Sequence, residues 1–223
     1  MTIDAKKKAY LTRMGIDVWQ RRDLPEEKPA VSVLPAHSSA DLSALKSRVS
    51  SCTLCGLCET RTQTVFGVGS STAEIMIVGE APGANEDRQG EPFVGRAGQL
   101  LTQMLKAISL SRDDVFIANI LKCRPPNNRD PSPEEVATCT PYLREQIALI
   151  QPKLIVAVGR IAAQFLLEST QTLGRLRGQW HDYHGTPLYV TYHPAYLLRS
   201  PREKAKAMVD LYAIKQHLGE ALC

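Results

Sequence analysis

The chain has 223 residues, of which 43% are hydrophobic and 22% charged, and this length and composition can bury one good core. No run of about 18 apolar residues is present, and the lysines at positions 6–8 are not followed by an apolar stretch, so we expect neither a membrane span nor a secretory signal. We therefore expect a cytosolic protein with one domain and an N-terminal tail.

The net charge of +4 is concentrated in one part of the chain. Residues 160–206 contain seven Arg and Lys against three Asp and Glu, and the remainder of the chain is neutral. Such a local excess suits a polyanion, because basic residues on one face attract phosphates and release their counterions. The alternative is a solvated surface on which the charges cluster by chance.

Residues 1–44 differ in composition from the rest of the chain. They contain three prolines and a serine pair, with few apolar repeats beyond a short helix expected near residues 7–19. We expect a partly ordered appendage and linker here. The domain proper is then expected to span residues 45–223.

Cysteines form the first motif of the domain. Cys52 and Cys55 make a C-x-x-C that Cys58 extends, and Cys123 and Cys139 follow later in the chain. In a cytosolic chain this usage favours a metal site or reactive thiols over disulfides. Five cysteines compete for the four places of a tetrahedral thiolate site, and zinc and an iron–sulfur cluster both suit four sulfurs. The alternative is a set of unrelated cysteines.

Strands and helices alternate from residue 74 onward. Short β-branched apolar runs predict buried strands at residues 75–78, 115–120, 154–158 and 188–191. Helices are predicted at residues 98–108, from Ser132 onward with a capping box to Glu135, and at residues 161–167 and 201–218. This alternation predicts an α/β fold, a three-layer α/β/α sandwich with a central, mainly parallel four-stranded sheet.

Polar groups follow the predicted strands. Glu80, Asn119 and His193 come at or just after three strand ends, and the carboxyl ends of parallel strands share one rim of a sheet. A carboxylate, an amide and an imidazole would then converge on one cleft, with Phe93 as an aromatic wall. Taken one at a time, each of these residues also has an ordinary structural interpretation.

Residues 193–199 form a second informative block. The sequence HPAYLLR joins the imidazole to an apolar pair, Leu197 and Leu198, and to Arg199. This composition is typical of a loop that wedges into nucleic acid and fills the space left by an extruded base. The alternative is that the apolar residues cap the core.

Several segments together resemble the family-4 uracil-DNA glycosylases, which carry a [4Fe-4S] cluster. The resemblance lies in residues 79–83, 92–95, Asn119, 123–129 and 193–199, and it covers about residues 51–218. It implies a DNA-repair enzyme that hydrolyses the N-glycosidic bond of uracil in single- or double-stranded DNA and leaves an abasic site for base-excision repair. No lysine is predicted at a strand tip, so we expect no Schiff-base lyase step and a monofunctional glycosylase.

The resemblance also implies roles for individual residues. Phe93 would stack on the flipped uracil, Asn119 would read its Watson–Crick edge, and His193 would stabilise the charge that develops on O2. Other implied contacts are Gly79, Glu80, Ala81 and Glu86 in the uracil pocket, and Leu197, Leu198 and Arg199 in the DNA. Ala81 stands where the best-studied branch of the superfamily has an aspartate. The water-activating group is therefore left among Glu80, Glu86 and Asp87, with Glu80 ranked first, or the substrate phosphates assist.

In that family the cluster ligands are a C-x-x-C placed before an Arg and a Val-Phe-Gly, plus two later cysteines. Arg61 and residues 65–67 follow Cys55 at the family distance. The resemblance therefore assigns Cys52, Cys55, Cys123 and Cys139 as ligands of the [4Fe-4S] cluster and leaves Cys58 spare, with Cys223 unrelated. We expect a monomer in the cytoplasm of a prokaryote, associated with the nucleoid through DNA and not with a membrane.

Two other functions remain open from the sequence. A related class of protein traps uracil-containing DNA covalently, but such relatives carry a basic, His-containing insertion after the second strand, and residues 127–135 contain no histidine. The second alternative is an iron–sulfur or zinc protein that binds DNA structurally or transfers electrons.

Overall fold

The computed structural model describes residues 13–14 and 39–221. The chain divides after Pro35, and every element below belongs to the second unit, Ala36–Cys223. Most of the predicted appendage, including nearly all of the helix expected near residues 7–19, lies outside the described residues, as does Cys223. The first described helix, α1 (Ser39–Ser50), begins before the boundary predicted at residue 44.

A six-stranded sheet forms the centre of this unit. Its strands are β1 (Val68–Gly69), β2 (Ile75–Gly79), β3 (Val115–Asn119), β4 (Leu154–Val158), β5 (Trp180–Tyr183) and β6 (Thr186–Thr191). They lie in the order β1-β3-β2-β4-β6-β5. The four central strands are parallel, and the two edge strands pair antiparallel with their neighbours.

The four predicted strands are the four central ones, but the predicted strand number is wrong. β2, β3 and β4 are buried at every position, so their sequences are continuous apolar runs. β1 has only two residues, and β5 is mostly exposed, so neither edge strand has a buried apolar run that would mark it in the sequence. The two short edge strands limit the exposure of unpaired strand edges.

Helices separate the four parallel strands along the chain. Further along the chain they are α2 (Ala84–Gln89), α3 (Arg96–Ala107), α4 (Pro133–Ile150), α5 (Arg160–Leu166), α6 (Leu173–Leu176), α7 (Pro194–Arg199) and α8 (Lys204–Ala221). The predicted capping box at the start of α4 is confirmed, because the Ser132 side chain accepts from the Glu135 N–H and the Glu135 carboxylate accepts from the Ser132 N–H.

Two apolar layers cover the sheet, one on each face. Alternate strand residues such as Met76 and Val78 pack with α1, α4 and α5, whereas Ile75 and Ile77 pack with α3 and α8. Side chains of a strand point alternately to opposite faces, so one strand contributes to both layers. The predicted α/β/α sandwich is confirmed. Among the described residues, no helix has the length and apolar character needed to cross a bilayer.

Candidate active site

A cleft of about 420 Å³ lies at the carboxyl ends of the parallel strands. It is lined by Glu80, Ala81, Glu86, Phe93, Asn119, His193 and Arg199, among others. These residues are separated by up to 119 positions in the chain, and the strand ends bring them to one rim. The structure therefore brings together most of the side chains that the sequence predicted for a single site.

Asn119 is the last residue of β3 and is 2% exposed. Its Oδ1 is a buried acceptor without a hydrogen-bond partner, the one such side-chain atom found among the described residues. Gly79, opposite it on β2, leaves room for this amide, since a Cβ atom there would lie 2.4 Å from Asn119 Oδ1 and 2.7 Å from Phe93 Cζ. A buried acceptor without a donor is costly, and Asn119 Oδ1 is free to accept a hydrogen bond from a group that enters the cleft.

Phe93 forms one wall of the cleft and has a left-handed backbone conformation, with φ of 55°. Arg112 fixes this loop, because its guanidinium donates to the carbonyl oxygens of Phe93 and Pro92 at 3.2 and 2.8 Å. Glu86 holds the other side, and its Oε1 accepts from the N–H groups of residues 94 and 95 at 3.0 Å each. One oxygen of Glu86 thus has a structural task, although the residue lines the cleft.

His193 precedes α7 and its ring lies 5.5 Å from the Phe93 ring, centroid to centroid, at 32°. The Ala195 N–H donates to His193 Nδ1 at 3.1 Å, so in the neutral ring the proton is on Nε2. Burial, aided by the charge of Arg199 and opposed by Glu86, lowers the pKa of His193 to about 4. The imidazole is therefore neutral at pH 7 and can donate from Nε2.

Glu80 follows β2 and faces the cleft. Burial raises its pKa, and the neighbouring Asp130 raises it further, whereas Arg160 lowers it. Asp130 also lines the cleft and makes a 2.8 Å ion pair with Arg160. Asp87, which the sequence left as a candidate, is buried, accepts from the Thr62 N–H and hydroxyl, and is not among the residues that line the cleft.

Leu197, which is predicted to enter the DNA, does not line the cleft in this structure, and its DNA contact stays a prediction. Leu197 is 1% exposed and packs in the apolar layer formed with α3 and α8. Leu198 is partly buried, and only Arg199 of the three predicted DNA contacts is exposed and lines the cleft. The exposed bulky side chain of α7 is instead Tyr196, which is 37% exposed and also lines the cleft.

Five free cysteines line a separate small cavity near the start of the domain, together with Arg61, Lys122 and Tyr142. They are Cys52, Cys55, Cys58, Cys123 and Cys139. Cys123 and Cys139 are buried, and the Arg61 guanidinium and the Lys122 backbone N–H donate to their sulfurs at 3.1 and 3.2 Å. Such N–H···S bonds are typical of metal-bound thiolates.

Of the three early cysteines, Cys52 and Cys55 lie close enough to Cys123 to raise the pKa of its thiol. Cys55 has the same effect on Cys139. Within residues 13–14 and 39–221, no group of three or more His, Cys, Asp or Glu side chains could hold a metal ion as they stand.

Lys122 links this cavity to the cleft and was missed by the sequence analysis. Its side chain is 1% exposed, and its Nζ donates to the Asn119 carbonyl at 2.7 Å and to Gln146 Oε1 at 2.6 Å. The Gln146 amide in turn donates to the Phe66 carbonyl at 2.8 Å. Burial lowers the pKa of Lys122 to about 8. Its ammonium group donates to a backbone carbonyl, and Lys122 is not among the residues that line the cleft. It is therefore not placed to act as a nucleophile there.

Comparison with known proteins agrees with this geometry. The model of the uracil DNA glycosylase superfamily matches residues 66–214. The chain is 47% identical over 181 residues to a type-4 uracil-DNA glycosylase of Archaeoglobus fulgidus, with 77% of this chain and 90% of that protein covered. It is 46% identical over 184 residues to the type-4 enzyme of Sulfurisphaera tokodaii, covering 78% and 84%.

A third relative is similar to this chain to nearly the same extent. The type-4 uracil-DNA glycosylase of Thermotoga maritima is 44% identical over 164 residues, which cover 73% of this chain and 85% of that protein. The match to the superfamily model includes all six strands described above and both Asn119 and His193. The chain belongs to the uracil-DNA glycosylase superfamily and, within it, to the type-4 family.

Proposed function

We propose that this protein excises uracil from DNA by hydrolysing its N-glycosidic bond, as a monofunctional glycosylase that starts base-excision repair. The observation that carries the proposal is the unpartnered Oδ1 of Asn119, buried at the base of a cleft between Phe93 and His193. Uracil offers an N3–H donor and an O4 acceptor on one edge, and the Asn119 amide offers the matching acceptor and donor. Cytosine presents the reverse pattern and would pair with the amide only if the amide were rotated by 180°.

His193 is proposed to stabilise the leaving group. Cleavage of the glycosidic bond develops negative charge on the uracil oxygens, and a donor aimed at that charge lowers the barrier as an oxyanion hole does. The neutral His193 ring carries its proton on Nε2, because Nδ1 accepts from the Ala195 N–H. Phe93 would stack on the base, and its loop is held on both sides by Arg112 and Glu86.

Glu80 is proposed to orient the attacking water and to face the positive charge that develops on the sugar. Among the described residues that line the cleft, Glu80 is the carboxylate that makes neither a side-chain hydrogen bond nor an ion pair, whereas Glu86 binds backbone amides and Asp130 pairs with Arg160. Ala81, at the next position, has no group that could take this task. Gly79 and Ala81 would shape the pocket through their backbone.

We propose that Cys52, Cys55, Cys123 and Cys139 hold a [4Fe-4S] cluster. The observation in favour is that buried sulfurs receive N–H groups from Arg61 and Lys122 in a cavity lined by cysteines. When bound, the cluster supplies a cross-link between the early loop, the segment after β3 and helix α4. It has no part in the bond cleavage described above.

The proposed substrate is uracil in single- or double-stranded DNA, bound along the basic residues next to the cleft. Arg199, which lines the cleft, and the cations that follow it up to Lys206 suit phosphate groups. A monomer remains the proposed oligomeric state. Covalent trapping is disfavoured, because His193 is the one histidine among the residues that line the described cleft.

A glycosylase assay tests this function. Holoprotein is incubated with a labelled oligonucleotide that contains uracil, and abasic sites are cleaved with alkali. We expect Asn119→Ala and His193→Ala each to lose about 100-fold or more in kcat/KM, whereas Asn85→Ala and His184→Ala, at exposed positions, retain activity. Intact oligonucleotide after incubation with the wild type, or a protein–DNA adduct that survives denaturing electrophoresis, would refute the proposal.

A further inference from the structure

Three side chains outside the proposed catalytic set form a stack beside the cleft. The Tyr192 and Tyr196 rings are stacked, with their centroids 5.2 Å apart and their planes at 26°. The guanidinium carbon of Arg177 lies over the Tyr192 ring, 4.8 Å from its centroid. A cation over an aromatic face is attracted by the ring quadrupole, so the three groups support one another.

An ion pair and hydrogen bonds hold this stack in place. Arg177 makes a 2.5 Å ion pair with Asp210, which is 1% exposed and also accepts from the Thr191 hydroxyl at 2.7 Å. The Tyr192 hydroxyl donates to Glu203 at 2.8 Å. Tyr192 is therefore held at its ring and at its hydroxyl, and it supplies a rigid support on which Tyr196 rests.

Tyr196 is the outermost member and reaches the cleft. It is 37% exposed and lines the cleft together with Ala195, His193 and Arg199. On the same helix Leu197 points into the core, so Tyr196 is the large apolar surface that α7 presents beside the proposed uracil pocket. Arg199 follows three positions after Tyr196 and is exposed. Its guanidinium is thus a cation near Tyr196 in the sequence that suits a DNA phosphate.

We propose that Tyr196 is a stacking subsite for the nucleobase that neighbours the target uracil in the same DNA strand. The inference rests on the proposed function. Extrusion of a nucleotide uncovers one face of the adjacent base, and that face needs a new partner. An aromatic ring that is already held in place can supply it with little loss of side-chain freedom.

The subsite recognises a class of ligand and not a particular base. Every nucleobase has an aromatic face, so stacking on Tyr196 tolerates any neighbour. The contact is made away from the reacting bond, and it therefore contributes to binding of the strand and not to cleavage. Loss of the ring should raise KM and leave kcat nearly unchanged.

The test combines a protein variant with a substrate variant. Tyr196→Ala, Tyr196→Phe and Tyr212→Ala are compared with the wild type on a single-stranded oligonucleotide containing one uracil; Tyr212 is a 54% exposed tyrosine on α8. Matched oligonucleotides carry a tetrahydrofuran residue, which lacks a base, directly 5′ or directly 3′ of the uracil. For each pair kcat and KM are measured, with inhibition by free uracil as a check that the pocket is intact.

We expect Tyr196→Ala to raise KM about 10-fold, Tyr196→Phe to retain most of the binding, and Tyr212→Ala to behave as the wild type. With one of the two tetrahydrofuran substrates, the wild-type KM should rise by a similar factor. The KM of Tyr196→Ala should not rise further with that substrate. The inference is overturned if Tyr196→Ala keeps the wild-type KM, or if its defect persists on both base-lacking substrates. Should Tyr196→Ala not fold, an unchanged wild-type KM on both of those substrates overturns it. An inactive wild type would refute the proposed function instead.

Discussion

Substitution of Gly79 by alanine is expected to disable the site while the fold remains. The added Cβ atom would lie 2.4 Å from Asn119 Oδ1 and 2.7 Å from Phe93 Cζ. Ordinary contact begins near 3.4 Å, so the Asn119 amide must move by about 1 Å. A displacement of that size in a group that positions the substrate costs about 100-fold in rate. We therefore expect kcat/KM of Gly79→Ala to fall by about two orders of magnitude.

The assay measures single-turnover cleavage of uracil DNA and the thermal unfolding midpoint of each protein. Gly174→Ala is the matched control, because a Cβ atom at Gly174, in the short helix α6, meets nothing within 4 Å. This variant should keep wild-type activity and gain up to about 1 kcal/mol of stability from its better helix propensity. Wild-type kcat/KM in a folded Gly79→Ala protein would refute the packing argument for the pocket.

Three further predictions concern protonation, a buried ion pair and the cysteines. The free energy of unfolding should fall as pH drops from about 6.5 to about 4, because the unfolded state takes up the His193 proton first, and His193→Ala should lessen this dependence in acid-unfolding curves. Asp210→Ala should cost about 3 kcal/mol in urea unfolding, since it leaves Arg177 without its buried partner. Cys139→Ser should abolish the visible absorption and iron content of anaerobically purified protein, whereas Cys58→Ser should retain both.

Each of these predictions has its own control. Lys153→Ala removes an exposed ion pair with Glu74 and should change stability by less than about 1 kcal/mol. His184→Ala removes an exposed histidine and should leave the acid-unfolding curve as in the wild type. Equal losses for Asp210→Ala and Lys153→Ala, or a colourless Cys58→Ser protein, would contradict the burial and ligand arguments.

The sequence was sufficient for the parts of the fold that bury continuous apolar segments. β2, β3 and β4 are buried at every position, so each is a continuous apolar run that could be recognised. The four parallel strands were therefore predicted in the correct order along the chain. The edge strands β1 and β5 could not be found, because β1 is too short for any periodicity and β5 buries only one of its four residues. Their pairing depends on neighbouring strands that are distant in sequence.

The site was predictable where a residue ends a strand and was not where tertiary packing decides. Asn119 is the last residue of β3 and His193 follows β6, so their convergence could be inferred. Leu197 could not be placed, because an apolar residue in a six-residue helix can face either the solvent or the core. Arg112 was missed as well, since its partners are carbonyl oxygens of a loop about 20 residues away, which leave no mark on composition.

The bond from Lys122 to the Asn119 carbonyl has a consequence for protein engineering. The ammonium group joins the end of β3 to Gln146 on α4 and, through Gln146, to Phe66. A redesign that changes base specificity at Asn119 alone therefore acts on one member of a shared framework. The transferable module is the strand end with its lysine and glutamine together, and a graft of this site onto another scaffold should carry all three side chains.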